Sequence, residues 1–272
     1  MSKSSVNAVQ RSSLANSLAL HDFANHAPDL RGWVDYTVGL FRKYGLEPTR
    51  MGITAPSIKS GKMNTYTREI KKLEKLDVFT IIGISIKATL NGSDDCHNDQ
   101  IFTAIFNIGL KPDITRCVLT LDNTIASFEP DRWNNITQHM SAFFQPRYGY
   151  GYQRLYEKGP EWYPFGVCVG LDRDKDKQER SAITIWSNSY SMTDGKYRAG
   201  DMRDIYPLNI LSSAHNQRMV GGIALFDWIN ADKSRGSLTK VGEDLWSWWL
   251  KDEDIDSVRA ALKPTGILLC AP

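Results

Sequence analysis

An α+β fold, built on antiparallel sheet with helices packed mainly on one face, is what this sequence predicts, and three observations predict it. Residues Phe79 to Leu90 alternate, with Ile82, Ile84, Ile86, Ala88 and Leu90 on one side and Gly83, Ser85, Lys87 and Thr89 on the other, the period of a half-buried strand. Apolar stripes at helical spacing lie elsewhere: Leu30, Trp33, Val34, Val38 and Phe41, then Trp133, Ile136, Met140, Phe143 and Phe144. Helices and hairpins also come in blocks and not in βαβ alternation, which argues against a doubly wound cofactor fold.

In chain order, residues 1–27 read as a polar lead-in that need not be ordered, and residues 28–272 as a single domain. A helix opens near Pro28 or Asp29 and runs to about Tyr44, where Gly45 supplies a stop. A basic helix follows over Thr65 to Leu76, after a link at 54–63 that is the candidate sub-boundary. The strand at Phe79–Leu90, a turn over Asn91 to Asp95, and strands at Ile101–Leu110 and Arg116–Asp122 form an antiparallel meander, because short turns join antiparallel neighbours. Pro130 and Asp131 open the next helix, which suits a ring without an N–H and a negative charge at the positive helix end; Pro146 closes it.

Strands are expected at Phe165–Leu171 and Ser181–Tyr190, joined by a charged hairpin tip. Short helices near Ile205–Ser212 and Ile223–Asn230 precede a hairpin over Leu238–Leu250 that turns at Gly242, Glu243 and Asp244. Alternation places Trp246 and Trp248 on one face of that hairpin and Trp249 on the other. A helix from Glu253 to Lys263 and a last strand, Ile267 to Cys270, complete the reading.

The 33 basic and 31 acidic residues nearly cancel. That balance argues against a dedicated duplex-DNA binder, which needs clustered Lys and Arg, and against an acidic nucleic-acid mimic. Cys96, Cys117, Cys168 and Cys270 stand far apart without a CxxC pair and read as isolated buried thiols. The stretch Leu14 to Leu20 is too interrupted by polar residues for a signal-peptide core, and no run is long enough to span a membrane. A cytoplasmic location is the expectation.

Two segments carry recognition chemistry. Arg147, Tyr148, Tyr150, Tyr152 and Arg154 alternate with Gly149, Gly151 and Gln153. Tyr and Arg are enriched at protein–protein hot spots, and the same residues could stack single-stranded bases. The plainer reading is a Tyr-rich strand or loop packed over the sheet edge, which stands ahead of protein recognition, with nucleic acid last. The second segment, Asp172, Asp174 and Asp176, has acids at positions 1, 3 and 5 of a calcium loop. Lys177 stands where the turn glycine belongs and Ile183 where the bidentate Glu belongs. A solvated hairpin tip is the better reading, and no metal or cofactor is expected.

The histidines, His21, His26, His97, His139 and His215, form no HxH or HExxH pattern, and Cys96 and His97, as neighbours, point apart on a strand. No catalytic residue is assigned.

From Arg203 to Leu269 the order of elements resembles the tail of bacterial immunity proteins of polymorphic and type VI secreted toxins. The residues that carry the resemblance are Arg203 to Asn209, Asp227 to Ile229, Arg235 to Leu238, Leu245 with Trp246, and Val258 to Leu262, about a quarter of the chain. The resemblance implies a non-catalytic protein that binds a cognate toxin stoichiometrically, and Arg147–Tyr156 and Asp172–Lys177 are the segments expected to meet it. The alternatives are a hydrolase whose site joins His97, His139 or His215 to carboxylates in three dimensions, and a single-stranded nucleic-acid binder centred on Arg147–Tyr156.

Overall fold

The computed structural model describes residues 13–24, 28–58, 62–89, 100–108, 115–192 and 196–270. Its frame is a sheet of ten strands, β1 (Leu14–Phe23), β2 (Arg50–Thr54), β3 (Asn64–Thr65), β4 (Gly83–Thr89), β5 (Gln100–Ile108), β6 (Thr115–Asp122), β7 (Pro146–Leu155), β8 (Leu208–Leu211), β11 (Ser237–Gly242) and β12 (Leu245–Trp249). Their order across the sheet is β11-β12-β8-β7-β1-β6-β5-β4-β2-β3. A separate two-stranded hairpin pairs β9 (Met219–Val220) with β10 (Ile223–Ala224). Every ladder between these strands is antiparallel. The predicted α+β class is the observed one.

The long helices predicted from periodicity cover one face. Helix α1 (Leu30–Lys43) is capped by Asp29, whose side chain accepts the Gly32 N–H at 2.9 Å, and it buries Leu30, Trp33, Val34, Val38 and Phe41. Helix α3 (Pro130–Phe144) buries Trp133, Ile136, Met140 and Phe144 beside it. The short α2 (Tyr66–Leu73) adds Leu73 to the same core. The expected one-sided cover needs refinement, because the opposite face is roofed as well. Helices α4 (Lys177–Met192), α5 (Ser213–Asn216), α6 (Leu225–Asn230) and α7 (Asp252–Leu262) follow β7, and Leu225, Trp228, Ile229, Val258 and Leu262 pack there with Tyr148, Tyr150 and Trp248.

Several expectations are corrected. Leu14–Phe23, inside the expected lead-in, is a strand paired on both sides and buried from Ala15 to Phe23. With both faces covered it shows no alternation, and its polar groups are matched internally: Ser17 Oγ lies 3.0 Å from Thr120 Oγ1, and Asn16 Nδ2 donates to Asn123 Oδ1 at 2.9 Å. Residues 1–12 and 25–27 lie outside the described residues, as do the turn Asn91–Asp95, Cys96 and His97. The link 54–63 sits between strands β2 and β3, which pair with each other.

Ser181–Tyr190 is not a strand. It belongs to α4, where Ile183 and Trp186 are buried three residues apart and Ile185 between them is exposed, the spacing of a helix face. The expected helix at Ile205–Ser212 is not formed, and its residues Leu208–Leu211 are strand β8. The last strand reduces to a single parallel bridge between Met202 and Leu268. The division of tryptophans holds: Trp248 is buried in the core of the second face, while Trp249 turns the other way, 5.3 Å from Phe128, and donates to Asn134 Oδ1. Cys117 and Cys270 are buried thiols and Cys168 is half-buried, all three free.

Candidate functional site

The segment singled out as Tyr- and Arg-rich is strand β7, and its place in the sheet decides what each side chain does. It lies between β1 and β8, so Tyr150 is opposite Ala19 on one side and Asn209 on the other. Its period of two sends Tyr148, Tyr150 and Tyr152 to the second face and Gly149 and Gly151 to the helix α1/α3 face. Of the plainer reading, the packed Tyr-rich strand holds and the sheet edge does not: Tyr148 and Tyr150 are 0% exposed and Tyr152 5%, on a strand paired on both sides. They form a stacked core in which Tyr150 lies 4.3 Å from Tyr206 and Tyr148 4.4 Å from Tyr197. Burial raises the phenol pKa of Tyr148, Tyr150 and Tyr152.

Two buried residues that sequence reasoning did not assign complete this core. Arg203 is 1% exposed. Its Nη1 donates to Tyr150 Oη at 2.5 Å and to the Tyr163 carbonyl at 3.1 Å, while its guanidinium lies 3.9 Å from the Trp186 ring and 4.0 Å from the Tyr163 ring. Among the described residues no carboxylate is within ion-pair distance of it. Burial opposes its charge, but the phenols of Tyr150, Tyr163 and Tyr206 outweigh that and hold it protonated. His21, fully buried on β1, stacks on Tyr150 at 5.4 Å. The sequence signal for this core was the Tyr-Gly-Tyr-Gly-Tyr alternation itself, a strand with one bulky and one bare face.

Burial, followed by the charges of Arg116 and Arg203, depresses the His21 pKa well below its ordinary value. His215 is depressed to about 4, chiefly by burial. Its Nδ1 accepts the Ser212 N–H at 3.1 Å as part of a capping box on α5. Both imidazoles are therefore neutral in the fold. The unfolded chain binds more protons below its His pKa near 6.5, so stability present above that pH is lost as the pH falls towards 4. His215 alone should cost about 3 kcal/mol over that interval, at ~1.4 kcal/mol per pH unit. Urea midpoints should fall between pH 7 and pH 5 while the His215 ring signals in NMR stay neutral; an imidazole titrating near 6.5 in the folded protein would contradict the assignment. The third described histidine, His139, stacks on Tyr36 at 5.3 Å on the surface of α3.

The two sequence-selected segments meet at the end of β7. Arg154, 8% exposed, pairs with Glu179 of α4 and donates from Nε to the Lys158 carbonyl at 2.8 Å. Lys158 Nζ reaches Asp176 Oδ1 at 3.0 Å and Glu179 Oε2 at 3.7 Å. Asp172, Asp174 and Asp176 belong to the turn entering α4 and not to a hairpin tip. Asp172 Oδ1 accepts the N–H groups of Asp174 and Lys175, each at 2.9 Å, which lowers its pKa. Asp176 is lowered as well, first by the hydrogen bond from Lys158. The result is a hydrogen-bonded ledge on which Asp172, Arg173, Asp174, Lys175 and Lys177 are exposed. Arg147, at the other end of β7, is separate from this cluster: it and Arg198 both donate to Asp22 Oδ1 at 3.2 Å.

Beside Arg154 opens a cleft of about 360 Å³ lined by Tyr152, Arg154, Tyr163, Tyr206, Pro207 and Arg259, among others. Tyr163 Oη and Tyr206 Oη are 3.0 Å apart in its wall, and Arg259 is held by Asp204 and Asp256. Phenols, guanidinia and carboxylates thus line a concave surface whose polar groups are fixed by neighbours. Such a lining suits the docking of a partner's side chains.

The fold is similar to that of a solved bacterial protein. That structure, the Pseudomonas aeruginosa T6SS protein PA0821, superposes with a TM-score of 0.57 at 14% identity, covering 94% of this chain and 77% of its own. A second similar structure is the toxic C-terminal tip of CdiA from Pseudomonas aeruginosa in complex with immune protein. It matches with a TM-score of 0.23 at 8% identity over 51% of this chain and 84% of that one. No protein-family model matches the chain, and no curated protein matches it. No helix among the described residues is long and apolar enough to cross a membrane.

Proposed function

We propose that this chain is a cytoplasmic immunity protein that neutralises a cognate secreted bacterial toxin by stoichiometric binding. The observation that carries the reading is the convergence of the charged ledge and the aromatic–arginine cleft at one end of β7, supported from beneath by a closed Tyr–Arg core. A surface whose side chains are already tied by internal bonds lowers the ordering cost of association. The similarity in fold to a T6SS protein is consistent with this setting, as is the resemblance carried by Arg203–Leu269. The described histidines serve the fold, as core and cap residues or in a surface stack, which gives no particular support to a hydrolase.

The test uses exposed ledge residues, so that the fold is left alone. Charge reversal at Asp174→Lys with Lys175→Glu should weaken the affinity for the cognate toxin at least tenfold, read by titration calorimetry, with an unchanged Tm. Unaltered affinity would remove the ledge from the interface, and the absence of any complex with the wild-type chain would remove the immunity reading.

A further inference from the structure

At the other end of β7 from Arg154 the structure holds a larger cleft, of about 530 Å³, between the end of α3, the start of β7 and the β11–β12 turn. That volume is in the range of sites for small molecules. Its lining divides in two. Pro146, Val241 and Leu245 are buried and apolar and form the floor. Glu243 and Asp244 in the turn, with Ala142 on α3, are exposed around it.

The rim calls for a cation. The last carbonyls of a helix lack intrahelical donors and carry partial negative charge. Helices α1 and α2 meet this with Arg42 and Lys43, and with Lys71 and Lys72, in their last turns, whereas α3 has no basic residue there. The Ala142 carbonyl cannot receive the usual N–H from four residues on, because that residue is Pro146. Glu243 has no ion pair or hydrogen bond among the described residues, and Asp244 commits only Oδ1, which accepts the Ser213 N–H at 3.1 Å. The cations nearby are engaged elsewhere. Arg147, which lines the cleft, donates to the buried Asp22 Oδ1 at 3.2 Å, and Lys240 Nζ lies 5.5 Å from the Trp246 ring on the face away from α3. An ion pair at an exposed rim is weak by itself. A cation carried on an aliphatic stem also covers the apolar floor, as Lys and Arg stems do on protein surfaces, and gains from both.

We propose that this cleft binds an organic cation on an aliphatic stem, an alkylguanidinium or alkylammonium. Its head sits among Glu243, Asp244 and the Ala142 carbonyl, and its stem lies on Pro146, Val241 and Leu245. An Arg or Lys side chain of a protein partner and a free amine or guanidine share that chemistry. The site stands independently of the immunity reading.

Butylguanidinium is the probe, with butanol and butyrate as the neutral and anionic matches of its stem. Each is titrated into the full chain while the methyl NMR signals of Ala24 and Ala142, on the cleft wall, are followed. The expected result is a saturable shift with butylguanidinium alone. Glu243→Gln with Asp244→Asn should weaken that binding at least fivefold and leave Tm within a degree, since the Asn side chain keeps an acceptor for the Ser213 N–H. Asp174→Asn with Glu253→Gln, which removes two exposed carboxylates elsewhere, should leave the binding unchanged. No saturable shift, equal binding of butanol or butyrate, or undiminished affinity in the Glu243 and Asp244 variant would each overturn the proposal. Once the site is upheld, the titration repeated with the cognate toxin bound separates the two sources. A probe shut out makes the occupant a side chain of that partner, and a probe still bound makes it a free small cation.

Discussion

Gly149→Ala should destabilise the protein by about 3 kcal/mol, and Gly151→Ala by about half of that, although the two glycines sit two residues apart on one strand face. A Cβ at Gly149 would lie 2.7 Å from the Ala19 carbonyl oxygen and 2.8 Å from Leu20 Cδ2. The first obstacle is backbone of a central strand and cannot move alone. At Gly151 the obstacles are the ring edge of Phe128 at 2.8 Å and Leu208 Cδ2 at 2.9 Å, which are ends of side chains and can shift. Urea titration of the two variants measures the difference. Equal costs would mean that β7 and β1 approach less closely than described.

Arg203→Ala should cost about 3–5 kcal/mol, because it leaves a cavity among Tyr150, Tyr163 and Trp186 and strips the buried Tyr150 hydroxyl of its donor. Arg203→Met should recover at least half of that loss. It keeps most of the volume and also removes a buried charge that no carboxylate compensates, and such charges carry a desolvation penalty. Tm and urea midpoints of the pair decide the matter. If Met proved as damaging as Ala, the guanidinium would owe its place to hydrogen bonding and charge, and its volume would count for little.

The elements legible in the sequence are those whose apolar residues repeat at one period. Helices α1 and α3, strands β4 and β5, the β11–β12 hairpin and α7 announce themselves in this way, and β6 follows as the third strand of their meander although it is buried along its whole length. What the sequence hides is a buried strand whose polar residues are matched by partners distant in the chain. Strand β1 carries Asn16, Ser17, His21 and Asp22 at full burial, so its composition reads as a polar lead-in until Thr120, Asn123 and Arg147 are brought alongside. The strand expected at Ser181–Tyr190 is a helix because Ile183 and Trp186, three residues apart, are both buried while Ile185 between them is exposed.

The candidate site divides in the same way. Arg154 and the Asp172–Asp176 turn could be selected by residue type and do converge, whereas the tyrosines selected with them are core. Their phenols and Gly149 and Gly151 answer to packing on opposite faces of one strand. Arg203, which orders that core, carried no local signal, because its partners come from β7, from α4 and from the 3₁₀ turn at Tyr163–Phe165.

Whether the chain acts by stoichiometric binding is measured most directly by co-expressing it at graded ratios with the cognate toxin domain, reading host survival beside the mass of the purified complex by light scattering. Binding predicts that survival saturates where the chain equals the toxin and that one discrete complex accounts for both. Protection at ratios far below equality, with no complex recovered, would contradict it and would point to turnover by this chain.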